Sequence, residues 1–152
     1  MKQPGGLPPV PPRWAEIIED AQATAAEVRE EGISVTLLHP GQVVPIADDR
    51  AFDVLLPGNE FEEVQSKVDS FEPTEVSIFT ADEGGFRYAV VLALDESSAS
   101  AICCPLYYRP GDCAELAAAA REAGSVRLRL RPLSASVNVV VSIDEPGLFF
   151  DD

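Results

Sequence analysis

The sequence predicts an α+β fold: three helices packed on a largely antiparallel β-sheet, with a central hairpin at residues 86–108. Three observations carry that prediction. The stretch from Phe86 to Tyr108, FRYAVVLALDESSASAICCPLYY, is two apolar runs separated by Asp95-Glu96-Ser97-Ser98, a hairpin pattern with a four-residue loop. Both runs are mostly apolar on their odd and even positions alike, and a strand that is apolar on both sides is covered on both sides. Around this ribbon the chain repeats one order, a helix and then strands, three times over.

Setting Leu94 against Ala99 places Val91 opposite Ile102, Val90 opposite Cys103 and Tyr88 opposite Pro105. One face then carries Phe86, Tyr88, Val90, Leu92 and Leu94. The other carries Ala89, Val91, Ala93, Ile102 and Leu106.

The remaining elements follow from periodicity and stop signals. Residues 1–12, with the core Pro-Pro-Val-Pro-Pro, read as a flexible proline-rich N-terminal arm, and residues 13–152 as a single domain. Trp14, Ile17, Ile18, Ala21, Ala25 and Val28 recur at helical spacing, and Gly32 is the natural stop. Strands are predicted over Ile33 to Leu38, Gln42 to Ile46 and Phe52 to Leu56, punctuated by His39-Pro40-Gly41 and Pro57-Gly58. A second helix begins at Asn59 as cap, with Phe61, Val64, Val68 and Phe71 on one side. Glu75 to Ala81 is a strand, and Asp82-Glu83-Gly84-Gly85 turns it into the hairpin, making a three-stranded meander. Helix three runs from Asp112, its cap, to Ala123, ended by Gly124; Val126 to Leu130 and Val137 to Ile143 are the last strands. The Leu148-Phe149-Phe150 tail reads as tucked over its own sheet or against a partner subunit.

Charge sets the solvent. There are 26 acidic against 11 basic residues, a net of −15, and lysine occurs only at positions 2 and 67. Self-repulsion at that charge opposes a compact state in dilute buffer. At 1 M salt the Debye length falls to about 3 Å and most of the repulsion disappears. The chain therefore reads as a halophilic, acidic protein of a salt-rich cytoplasm; the alternative is an acidic protein from a GC-rich genome, where arginine replaces lysine for codon reasons. No stretch has the roughly 20 apolar residues of a membrane helix, and Met1 to Pro12 lacks the apolar region of a signal peptide. Three cysteines without an export signal point to a reducing cytosol and no disulfide framework.

Catalytic motifs are sparse. The sequence holds no phosphate-binding glycine loop and no Gly-x-Ser-x-Gly. His39, the single histidine, sits in a His-Pro-Gly turn and reads as solvated rather than catalytic. Cys103 and Cys104 are neighbours in a strand and point to opposite faces, so they cannot share a zinc ion. Cys113 opens a helix, a position that favours a thiolate, but it reads as a small helix-start residue rather than a reactive one. No metal or other cofactor is read.

One feature stands out. Arg127, Arg129 and Arg131 alternate with Val126, Leu128 and Leu130, so three guanidinium groups project from one face of one strand. Such a face suits a small anion, since the guanidinium fork matches carboxylate and phosphate. The alternative is that it pairs with the chain's own abundant carboxylates. Nucleic acid is disfavoured, because a net charge of −15 repels phosphate.

The segments FDVLLPGNEF (Phe52 to Phe61), Pro105-Leu106-Tyr107-Tyr108, Arg131-Pro132-Leu133-Ser134 and Glu145-Pro146-Gly147-Leu148-Phe149-Phe150 resemble a haloarchaeal family of small acidic proteins of uncharacterised function. The likeness spans most of the chain after Trp14. It implies a salt-adapted cytosolic protein and supplies no activity, ligand or catalytic residue. Together these observations favour a non-enzymatic interaction or regulatory module, self-associating as a homodimer or binding a protein partner. The rival is an enzyme of unrecognised type with an anionic substrate at Arg127, Arg129 and Arg131.

Overall fold

The computed structural model describes residues 11–68, 70–133 and 137–150, the side chain of Val68 excepted. The first ten positions of the proline-rich arm, and Ser134 of the Arg-Pro-Leu-Ser segment, lie outside these residues. In chain order the elements are α1 (Trp14–Glu30), β1 (Ser34–Leu37), β2 (Gln42–Ile46), β3 (Ala51–Leu56), α2 (Gly58–Val68), β4 (Glu75–Glu83), β5 (Phe86–Asp95), β6 (Ser100–Tyr108), α3 (Ala114–Ala123), β7 (Val126–Pro132) and β8 (Val139–Ile143).

Among the described residues the fold is α+β with three helices, but the eight strands divide between two sheets rather than joining one. The first, the hairpin sheet, has the order β1-β6-β5-β4; the second, the arginine sheet, has the order β2-β3-β7-β8. Each sheet contains two antiparallel pairings and one parallel pairing, β1 with β6 and β3 with β7. Apolar periodicity shows that a strand is buried and on which face, yet it carries no label for a distant parallel neighbour.

β5 and β6 are the interior strands of the hairpin sheet, and both their faces are dry. On one side α1 lays Ile17, Ala21, Ala25 and Val28 against Tyr88, Val90, Ala101 and Cys103. On the other, Ala89, Val91, Ile102, Cys104 and Leu106 meet Phe52, Val54, Leu128 and Leu130 of the arginine sheet. Phe61 and Val64 of α2, with Leu116, Ala117 and Ala120 of α3, join this same core between the sheets. Tyr88, Val91 and Ile102 are all buried, as an interior ribbon requires.

The hairpin's register differs by two residues from the expected one. Asp95 pairs with Ser100 and Leu94 with Ala101, so Val91 faces Cys104, Val90 faces Pro105 and Tyr88 faces Tyr107. The cause is the chemistry of Asp95, which remains in the strand and organises the loop from within. Its buried carboxylate accepts hydrogen bonds from the Ser97 hydroxyl at 2.7 Å, the Ser98 hydroxyl at 2.8 Å and the Glu72 amide at 2.9 Å. The turn is then Glu96 to Ala99, closed by Ala99 in the left-handed region at φ 51°. A slip of one residue exchanges the two faces, whereas a slip of two preserves them. The preceding β4–β5 turn is a two-residue Gly84-Gly85 loop with φ of 61° and 84°, values suited to glycine.

Two helix starts also differ. α2 begins at Gly58, so Asn59 lies inside the first turn; the Phe61 amide donates to the Pro57 carbonyl at 3.0 Å. Before α3 the chain makes a 3₁₀ turn over Pro110–Asp112, and Cys113 rather than Asp112 is the cap. Gly124 does end α3, at φ 78°.

The C-terminal tail is part of the core. After a 3₁₀ turn over Pro146–Leu148, Phe149 and Phe150 are buried beside Phe52 and Tyr108, with ring centroids 4.8 to 6.5 Å apart. The Phe149 carbonyl accepts from the Tyr108 hydroxyl at 2.8 Å and from Arg87 Nη1 at 3.0 Å. Arg87, a charge inside an apolar strand, completes its shell with Asp82, at 2.7 Å through Nε and 2.9 Å through Nη2.

Candidate functional site: the arginine face

β7 alternates as the sequence requires. Val126, Leu128 and Leu130 are buried in the core between the sheets, while Arg127, Arg129 and Arg131 project half-buried from the opposite face of the arginine sheet. Register determines what they meet. β3 runs parallel to β7 and sets Asp53 directly opposite Arg129, with Ala51 opposite Arg127 and Leu55 opposite Arg131.

Asp53 is 5% exposed and holds two of the three arginines. Its Oδ1 accepts from Arg129 Nε at 3.0 Å and its Oδ2 from Arg131 Nε at 2.7 Å. Asp49, in the turn before β3, takes Arg129 Nη1 at 2.5 Å. The hydrogen bond to Asp53, with the Asp49 contact, raises the Arg129 pKa above its ordinary value. Arg127 makes no side-chain hydrogen bond or ion pair among the described residues. Around the cluster lie exposed Val44 and Val140 and half-buried Ile46 and Leu55, so the guanidinium groups stand on an open sheet face.

Asp53 is the residue that sequence reasoning passed over. Its signal was available: a lone carboxylate in the otherwise apolar run Phe52-Asp53-Val54-Leu55-Leu56. A buried charge needs a partner, and the nearest supply of cations in an alternating strand is the Arg127 to Arg131 stripe.

The remaining sequence candidates are separate from this face. His39 is held rather than simply solvated: Glu60 accepts from both its backbone amide and Nδ1, each at 2.6 Å. Cys103 faces α1, its Sγ 3.7 Å from the Ala21 carbonyl, whereas Cys104 lies in the core between the sheets. Cys113 is not a thiolate site. Burial pushes its pKa up to about 11, and Cys103 likewise to about 11. Burial outweighs the helix terminus there. Among the described residues no helix is long and apolar enough to cross a membrane.

The geometry thus defines a two-sheet α+β protein in which two of the three arginines of β7 are engaged by its own carboxylates. The chain belongs to the DUF7529 family of unknown function, whose model matches residues 9–151. No curated protein and no solved structure matches it.

Proposed function

We propose that this protein is a non-enzymatic interaction or regulatory module of a salt-rich cytoplasm, with residues 13–152 acting as one domain and a protein or a second copy as its partner. The observation that carries this reading is the Asp53 clamp. Two of the three guanidinium groups that would bind an anion are already engaged, on a sheet face that is open among the described residues, whereas small-molecule sites are concave. Salt adaptation rests on the −15 charge and the scarcity of lysine. That charge also argues against nucleic acid as the partner.

A second reading, an enzyme binding a small anionic substrate at Arg127, Arg129 and Arg131, is favoured by one observation, the unengaged side chain of Arg127. A thermal-shift series with phosphate, nucleotides and small carboxylic acids in concentrated KCl separates the two. The interaction module melts at an unchanged temperature in all of them. Stabilisation by one anion, lost in both Arg127→Ala and Arg129→Ala, overturns that reading in favour of the second.

A further inference from the structure

The two sheets have four edges, and a sheet edge is a template for pairing with another chain unless something blocks it. Among the described residues three edges are blocked or short. β2 carries Pro45 as the fourth of its five residues. β1 is four residues long, and its Ser34 and Val35 carbonyls accept from Lys67 and Arg29. β8 has five residues. β4 is different: nine residues, Glu75–Glu83, without proline, lysine or glycine, and exposed from Phe79 onward. Phe79 itself is 59% exposed, in a groove between β4 and α1 lined by Ile17, Asp20, Tyr88 and Val90.

Charge distinguishes this edge from the rest of an acidic molecule. Glu83 is paired with Arg13 at 2.9 Å, and Asp82 is gripped by Arg87 at 2.7 and 2.9 Å. The five residues between Val76 and Asp82, Ser77-Ile78-Phe79-Thr80-Ala81, carry no charge. Arginines from elsewhere in the chain therefore neutralise the far end of the strand, and its centre is neutral already. A second copy of the same chain can approach here with far less repulsion than −15 against −15 implies.

From these features we propose that β4 pairs antiparallel with β4 of a second copy, joining two hairpin sheets into one eight-stranded sheet. This deepens the interaction-module reading and rests on it. The nine-residue strand has Phe79 at its midpoint, so a two-fold axis there gives the fullest overlap. Phe79 meets the partner's Phe79, Ile78 the partner's Thr80, and Glu75 the partner's Glu83. Both copies of α1 then lie on the same side, closing the grooves beside Phe79. Glu75, with Asp20 and Glu27 of α1, supplies the residual repulsion across the axis, so association strengthens with salt.

Sedimentation velocity in molar KCl tests this. The wild-type protein is expected at twice its 16.3 kDa chain mass, and at the single-chain mass as KCl is lowered within the range where it stays folded. Phe79→Lys, at an exposed position, is expected to stay folded, to lose the concentration dependence of melting that a dimer confers, and to run as a single chain in molar KCl. Phe79→Cys tests the register, because residues directly opposite in an antiparallel pair have Cα atoms within about 4.5–5.5 Å, inside disulfide range. Treated with diamide as oxidant, it is expected to cross-link into a dimer, while Glu75→Cys, far from its own copy, is not. The three native cysteines are buried and do not compete. Single-chain mass for the wild type in molar KCl, a dimer that survives Phe79→Lys, or equal cross-linking of both cysteine variants would overturn the β4 pairing. None of these results bears on the anion series, so failure of this pairing is distinguishable from failure of the interaction-module reading.

Discussion

The Tyr108 hydroxyl donates to the Phe149 carbonyl at 2.8 Å, fastening the tail to the end of the central hairpin. Phe149 is fully buried among Phe52, Tyr108 and Phe150, so the tail fills the core rather than decorating it. Phe149→Ala should therefore cost about 3–5 kcal/mol, as for other buried phenylalanines. Tyr108→Phe should cost only about 1 kcal/mol, because Arg87 still donates to the same carbonyl. Urea denaturation in molar KCl measures both; equal losses from the two changes would contradict the assignment of the tail to the core.

Asp53→Ala leaves Arg129 and Arg131 without their shared carboxylate. Breaking a fully buried pair costs about 3–5 kcal/mol, but both arginines are partly exposed, which reduces the expected loss to about 1–3 kcal/mol. Asp49→Ala, at an exposed carboxylate, should cost less than about 1 kcal/mol. The freed guanidinium groups should also make Asp53→Ala gain thermal stability from phosphate where the wild type gains none. A variant as stable as wild type and indifferent to phosphate would show that the clamp contributes little.

Asp95 contributes to the acid limb of stability. The Glu72 amide, followed by the Ser97 and Ser98 hydroxyls, holds its pKa well below the ordinary carboxylate range. A folded-state pKa below the unfolded value of about 3.9 gives stability that is fully present above about pH 4 and is lost as pH falls toward the folded value. The stability gap between wild type and Asp95→Asn should thus be constant at neutral pH and narrow below about pH 4. Melting temperatures of the two proteins across that range provide the check; a gap that does not narrow in acid would refute the assignment.

Salt adaptation has its own test. Far-ultraviolet circular dichroism should show the native signal in molar KCl and its loss at a few millimolar, because screening removes the repulsion among 26 acidic side chains. Full native signal in a few millimolar KCl would refute it.

Local chemistry explains which parts of this molecule were legible in the sequence. The hairpin's two dry faces, the glycine stop of α3 and the inward and outward alternation of β7 each depend on neighbours in sequence, and each is seen. The register differs by two because Asp95 has five donors gathered around it, one of them from Glu72, outside the hairpin altogether. The division into two sheets was hidden for a related reason: β3 and β7 pair across a long intervening stretch of chain. Asp53 and Arg87 were overlooked because each is a single charge in an apolar run. Arg129 and Arg131, the partners of Asp53, and the Phe149 carbonyl that Arg87 meets become visible only once the sheets are assembled, whereas Asp82 faces Arg87 across the adjacent turn.

Val35 lies beside Ala101 and Val54 beside Leu130, so each sheet is completed by a parallel pairing that closes a long loop of chain. Pairings of that kind form late, after the entropy of loop closure has been met. The β5–β6 hairpin, built from adjacent residues, is expected to form first, with both its oily sides still wet. Refolding should accordingly be slow, on the order of milliseconds to seconds, and prone to clumping at high protein concentration.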